Sequence, residues 1–239
     1  MTRKATQYIL AALALVTVFA LAGCSPAVTL KIDGTERSGA TFEASLSPTA
    51  ENLVRKLAGR EETASPGVPQ SLYDREAILV SLGNAGFRAD SLEFPGRAGI
   101  RLALTLLKSD GFLGNALSVS RENKRVSIAI SRDTLGRALA MMPPETRDYL
   151  DLFMAPAFTG EELTEREYRE IIAAAYGKTL AGELAASSFT LTVQCPATVS
   201  RATVSAPGTV VTASNAAVFR IPLTTLLVLA TPITAEANW

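Results

Sequence analysis

The sequence predicts an α+β fold with a mainly antiparallel sheet, hairpins and a helical insertion at about 133–186. Three observations carry this prediction: apolar and polar residues alternate in paired segments before residue 133, the period then becomes helical, and alternation returns after residue 186. Strand pairs followed by a helical block and further strands are typical of α+β proteins. We expect one domain over residues 24–239, and two subdomains are the alternative.

The first predicted elements are a hairpin and a helix. Apolar positions from Val28 to Ile32 and from Phe42 to Leu46 alternate with polar ones on either side of the glycine-containing loop 34–39. Two such segments joined by a short loop predict a β-hairpin. Ser47 and Pro48 have the residue types preferred at the cap and at the first position of a helix, which we expect to end near Gly59.

The next segment predicts a second helix and two more strand pairs. Ser71 and Asp74 resemble a capping pair for a helix that runs through Leu82. Strands over 87–94 and 100–107 flank the Pro95-Gly96 turn, and a further hairpin covers 117–130.

The helical insertion and the final strands follow. Asp133 is the predicted cap of its first helix, and Tyr149, Leu150 and Phe153 predict another short helix. Thr164 and Glu167 form a predicted capping box for a helix that ends at Gly177. Strands are predicted at 189–195, near Val204 and Val210, at 217–221 and up to Trp239.

The segment 221–234 is apolar but shorter than the ~20 residues that a membrane span needs, and it contains Pro222 and Pro232. We expect it to be core, with a short helical turn at Leu226–Ala230. The alternative is insertion into a membrane interface through Leu226, Leu227 and Leu229.

Composition excludes several classes of function. The 239 residues carry 23 basic and 23 acidic side chains and no histidine. A chain without net positive charge or a basic stripe is not expected to bind nucleic acid. Because histidine is the commonest general base and transition-metal ligand, its absence argues against a metal site. Nucleophile, phosphate-loop and dinucleotide motifs are also absent, so we expect no catalytic residues, no cofactor and no enzyme.

Two sets of charged residues and one cysteine are candidate sites. The charged run 161–170 predicts a solvated helix face with the ion pairs Glu162–Arg166 and Glu165–Arg169, rather than a carboxylate site. Arg88, Arg97 and Arg101 surround a turn, where they either meet an anionic ligand or face water. Cys195 ends the alternation that begins at Phe189, which predicts a buried thiol on the apolar face of a strand.

The N-terminus has the layout of a secretory signal. Arg3 and Lys4 precede an apolar run over residues 9–20, and small residues lead to a cysteine in Leu21-Ala22-Gly23-Cys24. These four residues resemble the lipobox of bacterial lipoproteins. The resemblance implies cleavage between Gly23 and Cys24, removal of residues 1–23, and attachment of diacylglyceryl and further acyl chains such as palmitate to Cys24.

The resemblance also implies a location and a role. The protein would be exported and held by its lipid on the cell membrane or the outer membrane, with its domain facing the periplasm or the cell surface. Ser25, where inner-membrane members often carry Asp, favours the outer membrane or surface. The plan of hairpin, helix and sheet is similar to uncharacterised LppM-like α+β envelope lipoproteins, which implies a domain that binds an apolar ligand or a partner protein.

Two alternatives to this binding role remain open. One is a structural scaffold subunit of a surface complex, and the other is an anchored hydrolase that uses a serine–lysine or carboxylate pair without histidine. The sequence does not indicate which residues would bind a ligand.

Overall fold

The computed structural model describes residues 25–32, 38–57, 72–84, 87–106, 116–140 and 162–239. The predicted signal, Cys24, Ser71 and the predicted short helix around Tyr149 lie outside these residues. The described strands are β1 Ala27–Ile32, β2 Ser38–Ser45, β3 Phe87–Glu93, β4 Gly99–Leu106, β5 Leu117–Ser120, β6 Arg125–Ile130, β7 Ser188–Gln194, β8 Arg201–Val204, β9 Thr209–Ala213, β10 Ala216–Pro222 and β11 Ile233–Asn238. The described helices are α1 Pro48–Leu57, α2 Arg75–Asn84, α3 Arg132–Ala140, α4 Glu165–Tyr176, α5 Lys178–Ala186 and α6 Leu223–Val228.

The strands form two sheets. The larger has the order β3-β4-β2-β1-β7-β10-β9 and the smaller has the order β5-β6-β11-β8. The ladder between β1 and β7 is parallel. The other ladders of the described strands are antiparallel. The predicted α+β class with a mainly antiparallel sheet is therefore confirmed.

The register of the large sheet divides its side chains into two faces. Val28 lies opposite Phe42 on one side and Leu191 on the other, so one row on this face is apolar. The row on the opposite face includes Thr29 and Thr192. Because side chains alternate across a strand, this pattern gives the sheet one apolar and one polar face.

The small sheet covers part of the apolar face and forms the main core with it. The buried side chains of this core come from β1, β6, β7, β10, β11 and the segment after β7; they are Ile32, Val126, Ile128, Leu191, Val193, Cys195, Val199, Ala217, Phe219, Ala235 and Ala237. Phe219 and Val126 are fully buried. The two sheets are thus held together by apolar packing between their facing sides.

Two helical contacts complete the packing. Helix α2 places Ile78 and Leu82 against buried residues of β3 and β4, with Phe42 of β2 at the margin. Helices α1, α4, α5 and α6 form a second layer, whose buried members are Ala50, Tyr168, Ile172, Leu180, Ala181, Leu184, Leu227 and Val228. Packing in this layer fixes the positions of α4 and α5 relative to α1 and α6.

Two of the predicted helix caps are confirmed. The Ser47 hydroxyl accepts the backbone N–H of Ala50 at 3.1 Å. Thr164 and Glu167 form the expected reciprocal capping box, and α4 ends at Gly177. Gly177 has φ 96°, which suits glycine because it lacks a Cβ, and this residue separates α4 from α5.

Of the other two predicted caps, the one at Asp133 is wrong. Helix α2 begins at Arg75, and Asp74 accepts the N–H groups of Glu76 and Ala77, at 2.9 and 3.1 Å, as expected of a capping residue. Helix α3 begins one residue earlier than Asp133 implies, because the Ser131 hydroxyl accepts the Thr134 N–H at 3.2 Å. Asp133 instead lies in the first turn, where it pairs with Arg137 at 3.0 Å.

The apolar segment 221–234 is core. Ile221, Leu226, Leu229 and Ile233 form one buried cluster that joins β10, α6 and β11. Leu227 is buried in the helical layer. The alternative of interfacial insertion is therefore wrong, because its proposed apolar face is already packed against protein.

We expect Phe219→Ala to lower the free energy of unfolding by about 3–5 kcal/mol, because it removes a fully buried ring from the core between the sheets. Val80→Ala is the control: Val80 is 58% exposed on α2, and its change should stay within about 0.5 kcal/mol. Urea unfolding followed by circular dichroism measures both. Similar losses in the two variants would contradict the assigned core.

Candidate functional site

The lipidation and cleavage site predicted at Gly23 and Cys24 lies just outside the described residues. Ser25 and Pro26 lead directly into β1. The Pro26 carbonyl accepts the backbone N–H of Thr190, at the start of β7, at 2.9 Å. β1, the first described strand, is the fourth of the seven strands of the large sheet, and two residues separate it from Cys24.

A groove lies between α4 and α5. It has a volume of about 350 Å³ and is wide open to solvent. Its lining comes from one stripe of each helix: Arg166, Arg169, Glu170 and Ala173 on α4, and Lys178, Ala181, Gly182 and Ala185 on α5. Positions spaced by three and four share one face of a helix, so these stripes are the facing sides of the helical pair.

The floor of the groove is formed by small residues. Ala173, Ala181, Gly182 and Ala185 contribute no side chain larger than a methyl group. A Cβ placed on Gly182 would meet no heavy atom within 4 Å. The groove is therefore a shallow surface depression over small residues and does not enclose an apolar cavity.

The rim of the groove carries charges of both signs. Arg166, Arg169 and Lys178 line it together with Glu170, and Arg166 also interacts with the Glu167 carboxylate. Gly177 both ends α4 and precedes α5, so the negative end of one helix dipole lies beside the positive end of the other.

Two other acids of the helical pair are occupied elsewhere. Glu165 accepts hydrogen bonds from the hydroxyls of Thr224 and Thr225 on α6, the second at 2.8 Å. Glu183 accepts from Ser47 and Thr49 at the start of α1, at 2.5 and 2.7 Å. These contacts join α4 and α5 to their neighbours and hold both carboxylates outside the lining of the groove.

The predicted ion pair between the side chains of Glu165 and Arg169 is wrong. The Arg169 Nε donates to the backbone carbonyl of Glu165 at 3.3 Å, whereas the Glu165 carboxylate accepts hydrogen bonds from Thr224 and Thr225 of α6. Sequence spacing alone could not reveal this, because Thr225 lies 60 positions away.

The three arginines around the 94–99 turn each meet a carboxylate. Arg88 pairs with Asp90 at 3.0 Å, Arg97 with Glu51 at 3.4 Å, and Arg101 with Glu43 at 2.8 Å. The alternative in which they meet an anionic ligand therefore receives no support, since protein carboxylates already balance these cations.

Ser47 and Ser127 each lie next to a carboxylate, and Ser127 donates to Glu236 at 3.4 Å on β6. Ser47 is 6% exposed, and its hydroxyl both caps α1 and donates to Glu183. Within the ranges that the structure describes, no group of three potential metal-ligating side chains occurs. No helix of the described part of the chain is long and apolar enough to cross a membrane.

Cys195 is a buried free thiol, as predicted. It is 3% exposed and packs in the core between the sheets. Burial raises the pKa of this thiol, which disfavours the reactive thiolate.

Cys195 should therefore resist iodoacetamide in the folded protein and react fully in denaturing urea. Mass spectrometry of the Cys195 peptide measures the modification. Fast alkylation under native conditions would contradict the buried position.

The capping box of α4 predicts a dependence of stability on pH. Hydrogen bonds from the backbone and hydroxyl of Thr164 lower the pKa of the Glu167 carboxyl below its ordinary 4.5. Because the folded protein has the lower pKa, this contribution is present at neutral pH and is lost as pH falls below about 4.5. Glu167→Gln should therefore lose less Tm between pH 7 and pH 3 than wild type.

Thermal unfolding monitored at several pH values tests this expectation. Glu162→Gln, which alters an exposed acid outside the capping box, is the matched control and should behave as wild type does. An unchanged pH profile in Glu167→Gln would show that the capping box does not contribute.

No protein-family model matches the chain, and no curated protein matches it in sequence. Among solved structures, the NMR structure of the folded domain of the LppM protein of Mycobacterium tuberculosis is similar at a TM-score of 0.35 and 8% identity, covering 90% of each chain.

Proposed function

We propose that this chain is a membrane-anchored envelope lipoprotein with a non-catalytic binding domain. The proposal rests first on the N-terminus, where basic residues, a short apolar run and Leu21-Ala22-Gly23-Cys24 have the order of a lipoprotein signal. Two or more acyl chains on Cys24 would give stable anchoring, whereas a single chain would be marginal.

The observation that carries the proposal is the short connection between Cys24 and the sheet. Ser25 and Pro26 span at most about 7 Å when extended. The Pro26 carbonyl accepts a hydrogen bond from the Thr190 N–H, and β1 begins at the next residue. An anchor at Cys24 would therefore hold this end of the large sheet next to the membrane surface, with the domain outside the cell membrane or on the outer membrane.

Binding without catalysis is supported by the chemistry of the chain. The sequence contains no histidine. An anchored hydrolase would need an accessible and activated nucleophile. Among the described residues, Ser47 meets Glu183 but is buried at the start of α1, and the Ser127 hydroxyl is 3.4 Å from Glu236, a carboxylate that Arg125 already pairs. The hydrolase alternative therefore has less support than a binding role.

The groove between α4 and α5 supports a ligand that binds at the surface of the domain. Its open shape and small-residue floor fit a docked group better than an engulfed apolar molecule. A scaffold subunit would instead present a continuous apolar surface. Among the residues that the structure describes, the large exposed apolar side chains lie on four separate elements; they are Leu57, Leu79, Val80, Ile171 and Val211.

Cys24→Ala should abolish incorporation of radiolabelled palmitate and release the protein from the membrane fraction. Cys195→Ala is the matched control, since it removes the other cysteine, which is buried in the core, and should leave labelling intact. Metabolic labelling followed by immunoprecipitation measures both. Continued labelling of Cys24→Ala would contradict the proposed lipidation at Cys24.

A further inference from the structure

The edge strands of the two described sheets differ in how well they are protected from pairing with another chain. β3 and β9 end the large sheet, and β5 and β8 end the small sheet. β3 carries charged side chains and a register shift between Ala89 and Ser91, and β8 carries Arg201. β5 has only four residues, of which three are half-buried. Charges, bulges and short strands are the features that keep sheet edges from pairing with other chains.

The edge strand β9 lacks these features. Its residues Thr209–Ala213 include no charge and no proline, and its ladder with β10 has no register shift. Four of its five residues are exposed. All but the last are Thr or Val, which are residue types favoured in strands. β9 therefore presents an uncovered edge that suits pairing with a further strand.

The backbone groups on this edge come from Val210 and Thr212. A two-residue turn at 214–215 joins β9 to β10, so Ala213 and Ala216 close the hairpin as a hydrogen-bonded pair. Hydrogen-bonded pairs alternate along an antiparallel ladder, so every second residue before Ala213 also directs its N–H and C=O groups toward β10. The residues between them, Val210 and Thr212, direct these groups away from the sheet.

We propose that two copies of this chain associate by antiparallel pairing of their β9 strands about a two-fold axis at Val211. Val211 is the middle residue of β9, so this axis overlaps the whole strand. Val210 of each copy then lies opposite Thr212 of the other, and each such pair exchanges both of its N–H···O=C hydrogen bonds. The contact is isologous, because the same strand serves on both sides.

The side chains that this pairing brings together favour a second copy as the occupant. On the exposed face, Val211 lies opposite its own counterpart, and Val218 of β10 flanks it in each copy. Thr209 lies opposite Ala213 of the second copy. β-Branched pairs across strands are favourable, whereas like charges directly opposite each other are unfavourable. The uncharged β9 therefore pairs with itself without electrostatic repulsion.

The size of the contact makes the dimer dependent on concentration. A pair of five-residue strands is smaller than the interfaces of about 1,200–2,000 Å² that hold stable complexes together. We therefore expect a reversible equilibrium between monomer and dimer. Under the proposed function, attachment to a membrane would favour the dimer by raising the local concentration of the chain.

Strand direction limits how two anchored copies can meet. β9 runs parallel to β1, because one parallel and two antiparallel ladders connect them. The two-fold axis reverses β9, and so it also reverses β1 and the chain end that leads to Cys24. Two copies anchored in one membrane therefore pair with their strands along its surface. Detergent micelles impose no such orientation, and the test is made there.

Val211→Cys tests the pairing directly in the full-length protein. As a non-hydrogen-bonded pair, the two Cα atoms at position 211 would lie about 4.5 Å apart, which is within the range of disulfides. Mild oxidation should give a disulfide-linked dimer on a non-reducing gel, with the link at residue 211 of both copies in peptide mass spectrometry. Cys195 is buried and does not compete. Val80→Cys, on the exposed face of α2, is the matched control and should stay monomeric.

Val211→Lys tests the same contact without a covalent bond. It removes a favourable cross-strand pair and places two like charges opposite each other, so we expect the dimer dissociation constant to rise about five-fold or more. Ile171→Lys adds the same charge at a half-exposed position of α4 and should leave the constant unchanged. Sedimentation velocity over a concentration series measures both, and an unchanged Tm shows that each variant folds.

Three results would overturn the proposal. Wild type that stays monomeric over the whole concentration series, with no link in Val211→Cys, would exclude pairing at β9. Equal linking of Val80→Cys would assign the disulfide to random collision. A dimer that Val211→Lys leaves intact would lie on another surface. These readouts do not depend on palmitate at Cys24, so failure of the β9 contact and failure of the proposed anchor are distinguishable.

Discussion

The parallel ladder between β1 and β7 is the contact on which the architecture depends. It joins the N-terminal strands β2, β3 and β4 to the C-terminal strands β9 and β10 in one sheet. Val28 lies opposite Leu191, and Leu30 lies opposite Val193, so the ladder also aligns apolar residues from both parts of the chain. The core beneath the sheet includes both Leu191 and Val193. Without this ladder, the two strand groups would lack a shared surface for the small sheet to cover.

Two carboxylates that accept hydrogen bonds from hydroxyls play a similar part in the helical layer. Glu183 connects α5 to the start of α1 through Ser47, which lies 136 positions away in the chain, and through Thr49. Glu165 connects α4 to α6 through Thr224 and Thr225. A hydrogen bond to a charged group contributes more than one between neutral groups. These two acids therefore orient α4 and α5, and the facing sides of these helices line the groove.

The sequence predicted local structure well because local structure depends on neighbouring residues. Alternation at Val28–Ile32 and the Thr164–Glu167 pair are short-range signals, and both are confirmed. Ser131 was missed in favour of Asp133 because both residue types cap helices and lie two positions apart. The partner of β1 was not predictable, since a parallel ladder between distant segments leaves no mark in either segment alone. The groove had a faint signal, the small residues Ala181, Gly182 and Ala185 on one stripe of α5, but this pattern is also typical of plain helix packing.

The central position of β1 has a consequence for the order of folding. β2, one neighbour of β1, follows it at Ser38, whereas β7, the other neighbour, begins only at Ser188. One edge of β1 therefore stays open until the C-terminal part of the chain is synthesised, and an open edge can pair with another chain. Closing such a distant pair is also intrinsically slow. The β1–β2 hairpin can form early, but the large sheet is completed only when β7 arrives.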